Sequence, residues 1–430
     1  MRRDDTMLPP VTLDTPQLKA TGNYLEFYWP QINLKAIVSN TEEHRGRVLG
    51  EVTFGSIQDG NDILMVGPQA VNFLTSQGKK SLKETLVRYY PDLGVKEDLD
   101  QVSRLDQVVD RLAFFTQKKL REGSPVEDLA YCEDLPPIRW QLEGLLAQDV
   151  TTVFFGDGDT GKSFIALGLA QVMQSGHHLN MGFTPTKTNV LYLDYETSFF
   201  DQQRRSSMIQ KGFGFPQGGP IKYRHCHQSI PNDLNTLHRI VQTNDIGYVI
   251  VDSLAGAAGA PLTEEPSISA VFSALRTLDV GALVISHVSK GEPGKPFGSV
   301  FIRNWSRSVF DLRRPAGQDA NRFSVIVSHD KNNLGPKIDR FGFQLDFTGQ
   351  DMVRISKTNN SDVRQLMPTN VDRLTETLLE EGRMTTDALS DKTGIPRATI
   401  ETTLRQRGGD RFVRYKPDGT WGVKAQTVDV

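Results

Sequence analysis

Only two cysteines, Cys132 and Cys226, occur in 430 residues. They are too few and too far apart for a zinc module or a disulfide framework, and they point to a reducing compartment. No apolar run is long enough to cross a bilayer, so no membrane partner is expected. Met1-Arg2-Arg3-Asp4-Asp5 has no apolar stretch behind its charges, so a secretory leader is not expected and the expected localisation is cytoplasmic. An excess of one charge sign is also missing: 49 Lys and Arg face 52 Asp and Glu, a net charge of −3. Nucleic-acid contact, if any, must therefore come from local basic patches rather than from a global field. Repeats and low-complexity tracts are lacking too. The length suits about two to four domains, and 23% charged residues is ordinary for a globular chain.

What is present centres on Gly156-Asp157-Gly158-Asp159-Thr160-Gly161-Lys162-Ser163. An apolar run, Thr151 to Phe155, precedes it, and Phe164-Ile165-Ala166-Leu167-Gly168-Leu169-Ala170 follows. The order strand, glycine-rich loop, helix with G-x-x-x-x-G-K-S spacing is that of a P-loop. Successive backbone N–H groups must wrap a polyphosphate, so glycine is needed where a Cβ blocks approach or φ is positive. The helix starting near Lys162 turns its N-terminal dipole to the phosphates. Gly156, Gly158, Asp159, Thr160, Gly161, Lys162, Ser163 and Phe164 are the expected nucleotide-binding residues. Lys162 is expected on the β- and γ-phosphates, with the Ser163 hydroxyl as a Mg²⁺ ligand, so the expected cofactors are ATP and Mg²⁺.

Three further apolar runs end in polar residues, as buried parallel strands do at the sheet edge where ligands bind. Asn189 to Leu193 delivers Asp194 and Glu196. Glu196 is the first candidate for polarising the attacking water and Asp194 the second. Ile246 to Val251 delivers Asp252, a Walker B pattern, and one carboxylate suffices because Mg²⁺ keeps several waters. Ala282 to Ser286 delivers His287, for which two roles fit: sensing the γ-phosphate, or a structural place at a strand end. Two loops at that edge, Leu254 to Pro266 and Val288 to Gly298, are expected to grip a nucleic-acid strand. Their only nearby aromatics are Phe297 and Phe301.

Upstream, residues 1–15 form a polar tail. Leu34 to Val38 and Arg47 to Phe54 predict strands around a polar turn, Ser39 to Gly46. Gln69 to Tyr90 and Leu105 to Leu120 predict helices, the second with a stripe at Leu105, Val108, Val109, Leu112 and Phe115 that is expected to be core. No chemistry is visible there. Arg121 to Pro137 is a linker, and Trp140 fits either stacking on a base or, better, packing beneath the entering strand.

The order of P-loop, Glu196 strand, Asp252 strand and Ser286-His287 strand with its glycine-rich loop resembles RecA-fold ATPases. More narrowly it is similar to the RepA-like and DnaB-like hexameric helicase branch of plasmids and phages. Trp140 to Leu146, Ser299 to Arg314 and Val325 to Asn333 fit that branch. The resemblance covers about residues 135–350. It implies ATP hydrolysis at the interfaces of a homo-oligomer, a hexamer, moving along single-stranded DNA. It also implies that Lys331 acts on the neighbouring subunit's ATP, although Asn333 stands where many relatives carry an arginine. Arg340 is the alternative cation, and Arg303 and Arg307 are further basic candidates.

The C-terminal segment resembles a winged helix-turn-helix. Val371 to Glu381, Asp387 to Thr393 and Arg397 to Arg407 predict three helices, with Pro396 at the start of the third. Arg411 to Val423 predicts a hairpin around Asp418-Gly419. Arg397, Arg405, Arg407, Arg411, Arg414 and Lys416 outnumber Glu401 and Asp410, which suits phosphate contact with duplex DNA.

The expected fold is thus α/β: a RecA-like P-loop NTPase core with a mainly parallel sheet, a small α/β N-terminal domain and a C-terminal winged helix. The expected domains are 1–125, 126–360 and 366–426. Two functions fit: a DNA motor ATPase of the replicative helicase type from a mobile element, or an ATP-switched DNA-binding regulator or loader.

Overall fold

The computed structural model describes residues 15–21, 24–44, 46–59, 61–89, 101–122, 126, 128–131, 133–134, 137–214, 219–289, 292–296, 299–349, 351–358, 360–407 and 411–424. The N-terminal tail through residue 14, Cys132, Asp410 and residues 290, 291, 297 and 298 of the glycine-rich loop, Phe297 among them, lie outside them. In chain order the elements are β1 (Gln17–Thr21), β2 (Tyr24–Trp29), β3 (Leu34–His44), β4 (Arg47–Gln58), β5 (Asn61–Asn72), α1 (Ser76–Tyr89) and α2 (Gln101–Glu122). Then come β6 (Trp140–Leu142), β7 (Leu146–Ala147), β8 (Thr151–Gly156), α3 (Lys162–Ser175), β9 (Asn189–Asp194), α4 (Phe199–Gly212), β10 (Lys222–His225), α5 (Ile230–Thr243), β11 (Ile246–Asp252), α6 (Leu254–Ala258) and α7 (Glu265–Thr277). The chain closes with β12 (Gly281–Ser289), β13 (Glu292–Pro296), α8 (Ser299–Trp305), β14 (Ser308–Arg313), β15 (Arg322–Asn332), β16 (Phe341–Asp346), β17 (Arg354–Thr358), α9 (Asn360–Leu366), α10 (Asn370–Glu380), α11 (Thr386–Thr393), α12 (Arg397–Thr402), β18 (Phe412–Arg414) and β19 (Trp421–Val423). Among the described residues no helix is long and apolar enough to cross a membrane.

The chain divides into two compact units, one of residues 1–139, 226–249 and 255–282, the other of 140–225, 250–254 and 283–430. In the first, β1 to β5 form an antiparallel meander, and α1 and α2 pack on it. Leu105, Val108, Val109 and Leu112 are buried there, as the stripe predicts. Two expectations are corrected. Gln69–Asn72 is not helical: it ends β5, pairing Gln69 with Val52 and Asn72 with Leu49. The strand wins because alternate residues Val71 and Phe73 reach the core, and the helix starts only after Thr75, whose hydroxyl accepts the Gly78 amide. The polar stretch 39–44 is likewise strand rather than turn. A bulge after Ser39 lets Glu42 and Glu43 pair with Leu49 and Val48.

The second unit carries the ten-stranded sheet, ordered β10-β9-β11-β12-β8-β14-β15-β16-β17, with β13 on β12. β9 and β10 pair in parallel, as do β8 and β14. From β14 to β17 the pairing is antiparallel, an extension that the expectation of a mainly parallel sheet did not include. β8 is buried at every position, and β9 nearly so, which matches their continuous apolar runs. Leu254 to Ala258, expected as loop, is the short helix α6.

After α9, the helices α10 to α12 and the β18–β19 hairpin enclose a small core of Leu374, Leu378, Leu389, Ile395, Ile400, Leu404, Phe412 and Trp421. Thr369 and Asp372 form a capping box on α10. Gly394, at φ 68°, ends α11. The third helix is shorter than predicted: α12 stops at Thr402, and residues 403–407 continue as a π turn.

Candidate nucleotide site

The P-loop leaves β8 at Gly156, where a Cβ would come within 2.3 Å of the Leu312 carbonyl on β14. Asp159 and Gly161 take positive φ, 56° and 90°, which turns the loop back on itself. Thr160 Oγ1 braces the turn by donating to the Asp157 carbonyl at 2.6 Å. No side chain caps the first turn of α3, so its amides are left for an anion. Lys162 Nζ donates to the loop's own carbonyls, Gly156 at 2.9 Å and Asp157 at 2.6 Å. Burial lowers its pKa, while the charges of Asp252 and Glu196 oppose that shift.

Asp252, at the end of β11, is 3% exposed. Its Oδ2 accepts from the Tyr192 hydroxyl at 2.6 Å. Burial raises its pKa, and hydrogen bonds from Tyr192 and Ser163 pull it back. The predicted pair Ser163 and Asp252 is therefore in contact.

Glu196 follows β9. Its Oε1 accepts from Ser253 Oγ at 2.5 Å and lies 3.3 Å from His287 Nε2. The His287 hydrogen bond does most to bring its pKa down to about 2; burial opposes, and Ser253 adds to the lowering. Asp194 has a different position. It is fully buried, and its oxygens accept from the Glu196 amide (2.9 Å), the Thr197 amide (3.0 Å), the Thr197 hydroxyl (2.6 Å) and the Tyr223 hydroxyl (3.2 Å). It shapes the turn that presents Glu196.

Lys162, Ser163, Phe164, Glu196, Asp252 and His287 all line one cleft of about 520 Å³. Sequence reasoning missed its other wall. Phe323 and Phe347 stack at 5.9 Å, and Phe164 meets Phe347 edge-on at 5.1 Å. The Arg314 guanidinium sits 3.7 Å over Phe323, and Arg205 lies 5.5 Å over Phe164. No motif spacing announces these residues; the β14–β15 hairpin carries Arg314 and Phe323 to the loop.

Lys331 is not brought to this chain's own cleft. It stands on β15 opposite Val309, with Nζ donating to the carbonyls of Arg303 and of Ser306, the latter at 2.9 Å. Burial lowers its pKa, helped by Arg307 and Arg303. Arg303 pairs with Asp330. Arg340, the alternative cation, donates to the Met367 carbonyl at 2.8 Å and to Asp372 at 3.0 Å. Trp140 pairs with Ala147 in the β6–β7 ribbon and is absent from the cleft lining.

A family model described as an AAA domain matches residues 116–293, a span holding Lys162, Glu196, Asp252 and His287. That span is 178 of the 430 residues. Among solved structures, a KaiC-like protein from the hyperthermophilic archaeon Pyrococcus horikoshii is similar at 15% identity, over 51% of this chain and 99% of that one, with a TM-score of 0.37. No curated protein matches the sequence. Lys331 and the C-terminal module lie beyond the matched span.

Proposed function

We propose that the chain is a Mg²⁺-dependent ATP hydrolase that works on DNA as a homo-oligomeric ring, a helicase-type motor of a mobile element. The observation that carries the hydrolase reading is the convergence of Lys162, Glu196 and Asp252 on one cleft. The P-loop fits a triphosphate: the α3 amides are uncapped, Gly158 has open space above it, and Lys162 rests on neutral carbonyls that phosphate oxygens can replace. Phe164, Phe323 and Phe347, flanked by Arg205 and Arg314, offer flat apolar and cationic surfaces for a base. Bound Mg²⁺, held by Ser163 and Asp252, would neutralise phosphate charge. Glu196 accepts a proton from, or orients, the attacking water, and His287 and Ser253 hold its carboxylate in place. Such positioned general bases contribute about 10²- to 10⁴-fold in rate.

The DNA side of the proposal rests on the resemblance and on the winged-helix pattern of α10 to α12 with the β18–β19 hairpin. A second reading, an ATP-switched DNA-binding regulator, is favoured by one observation: the Lys331 amino group is spent on carbonyls of its own chain. Strand displacement measured beside ATPase activity decides between them. The motor predicts stimulation by single-stranded DNA and processive unwinding, whereas the switch predicts duplex binding with slow turnover. Mixing Lys331→Ala with Lys162→Ala tests the ring itself. Restored hydrolysis supports completion of the site by a neighbour, and absence of rescue with concentration-independent turnover rejects it.

A further inference from the structure

A second cavity, of about 270 Å³, opens among α3, α4, β9 and β10 and shares no lining residue with the nucleotide cleft. None of its described lining residues is charged, so they offer no ion pair to a phosphate, a carboxylate or an ammonium group. Its walls are aromatic: Tyr192, Phe199 and Tyr223, the last two with ring centroids 5.5 Å apart. Gln202 also lines it. That side chain is 4% exposed, and among the described residues neither Oε1 nor Nε2 has a hydrogen-bond partner. A buried amide with both donor and acceptor unpaired is costly, so the site is arranged for something that pairs with it.

The complement of an amide is another planar edge with a donor beside an acceptor. Flat rings on the walls favour a flat ligand. The volume is just below the roughly 300–1,000 Å³ of sites for drug-sized ligands, which leaves room for one base and little more. Two wall residues also reach the carboxylates that end β11 and β9. Tyr192 donates to Asp252 at 2.6 Å, and Tyr223 donates at 3.2 Å to Asp194, whose other oxygen holds the Glu196 amide. We propose that this cavity binds an uncharged nucleobase or nucleoside through Gln202, as an effector site whose occupancy is felt at Asp252 and Glu196 through Tyr192 and Tyr223.

The test uses the full-length protein, with and without a saturating non-hydrolysable ATP analogue. It is titrated with adenosine, guanosine, cytidine and uridine and read by saturation-transfer NMR. At least one nucleoside should bind with a sub-millimolar Kd whether or not the analogue is present. Gln202→Leu should weaken that binding at least tenfold while the thermal midpoint holds or rises. Ser207→Phe, which fills the cavity from its lining, should do the same without touching the amide. Binding that disappears with the analogue would belong to the nucleotide cleft and overturn the proposal. So would the absence of binding by any of the four, or equal binding to both variants.

Discussion

In the nucleotide cleft two charged groups rest on neutral partners, Lys162 on two carbonyls and Asp252 on a tyrosine hydroxyl, while Glu196 meets a serine hydroxyl and His287. In the C-terminal module several arginines are already matched with carboxylates. Arg397 pairs with Asp387 and Glu401, and Asp372 gathers Arg340 at 3.0 Å, Arg364 at 3.9 Å and Arg411 at 4.0 Å. Arg383 lies over Tyr415 and Arg414 over Trp421. The two regions hold comparable charge and use it differently. Neutral partners leave a group's charge available to a ligand, whereas an ion pair spends it on the fold. The cleft is therefore built to receive charge, and much of the charge in the module is built to hold it together.

The comparison breaks most sharply at Lys162. Lys162→Ala should cost about 10² to 10³ in ATP turnover, the scale of one lost electrostatic contact to the transferring group, with an unchanged circular-dichroism melt. Glu196→Gln should keep nucleotide binding and lose about 10²- to 10⁴-fold in single-turnover rate. Normal hydrolysis in that variant would remove Glu196 from the mechanism.

In the module the same size of perturbation should appear as stability. Leu374 is fully buried in the small C-terminal core. Leu374→Ala should destabilise it by about 2–5 kcal/mol, seen as hydrogen exchange that rises in α10 to α12 while ATPase activity without DNA survives. A smaller effect is expected for Arg340→Ala, which leaves the buried Asp372 without its closest cation. Burial works against the Asp372 charge, yet Thr369 and Arg340 keep its pKa low. The expected loss is about 1–3 kcal/mol, confined to the module and read by denaturant unfolding. If turnover falls instead, Arg340 acts on nucleotide and the contrast between the regions fails.

The smallest effect is a pH dependence. With its pKa depressed to about 2, Glu196 is ionised above the ordinary carboxylate range, and its contribution fades only as pH falls through the folded value. Removing the first cause of that shift, in His287→Ala, should move the value up toward 4.5. At pH 4.5 the variant should then lose a larger share of its own neutral rate than the wild type loses. Parallel acid limbs in the two proteins would show that His287 does not tune Glu196.

Much of the cleft was legible because its determinants are local. A glycine-rich turn between a buried strand and a helix needs its residue types at its spacing, and Asp252 ends an apolar run wherever that run is placed. Asp194 and Glu196 were not separable in the same way. They lie two residues apart, and only the turn contact with Thr197 and the tertiary contact with Tyr223 show Asp194 consumed while Glu196 lines the cleft. The misplaced boundary at Gln69–Asn72 has a related origin: helical periodicity and strand alternation overlap in short apolar runs, and pairing with β4 decided.

The sequence by itself determined the P-loop, the strands that end in acids and the three helices plus hairpin at the C-terminus, since each depends on neighbours within a few residues. Tertiary structure alone decided what those residues face. It placed Phe323, Phe347 and Arg314 opposite a loop some 150 to 190 residues earlier in the chain, gave Lys331 to the carbonyls of Arg303 and Ser306, and left the Gln202 amide without a partner among the described residues. Register between distant strands sets the places of Phe323 and Lys331 on β15, and a one-residue slip would turn both to the other face of the sheet.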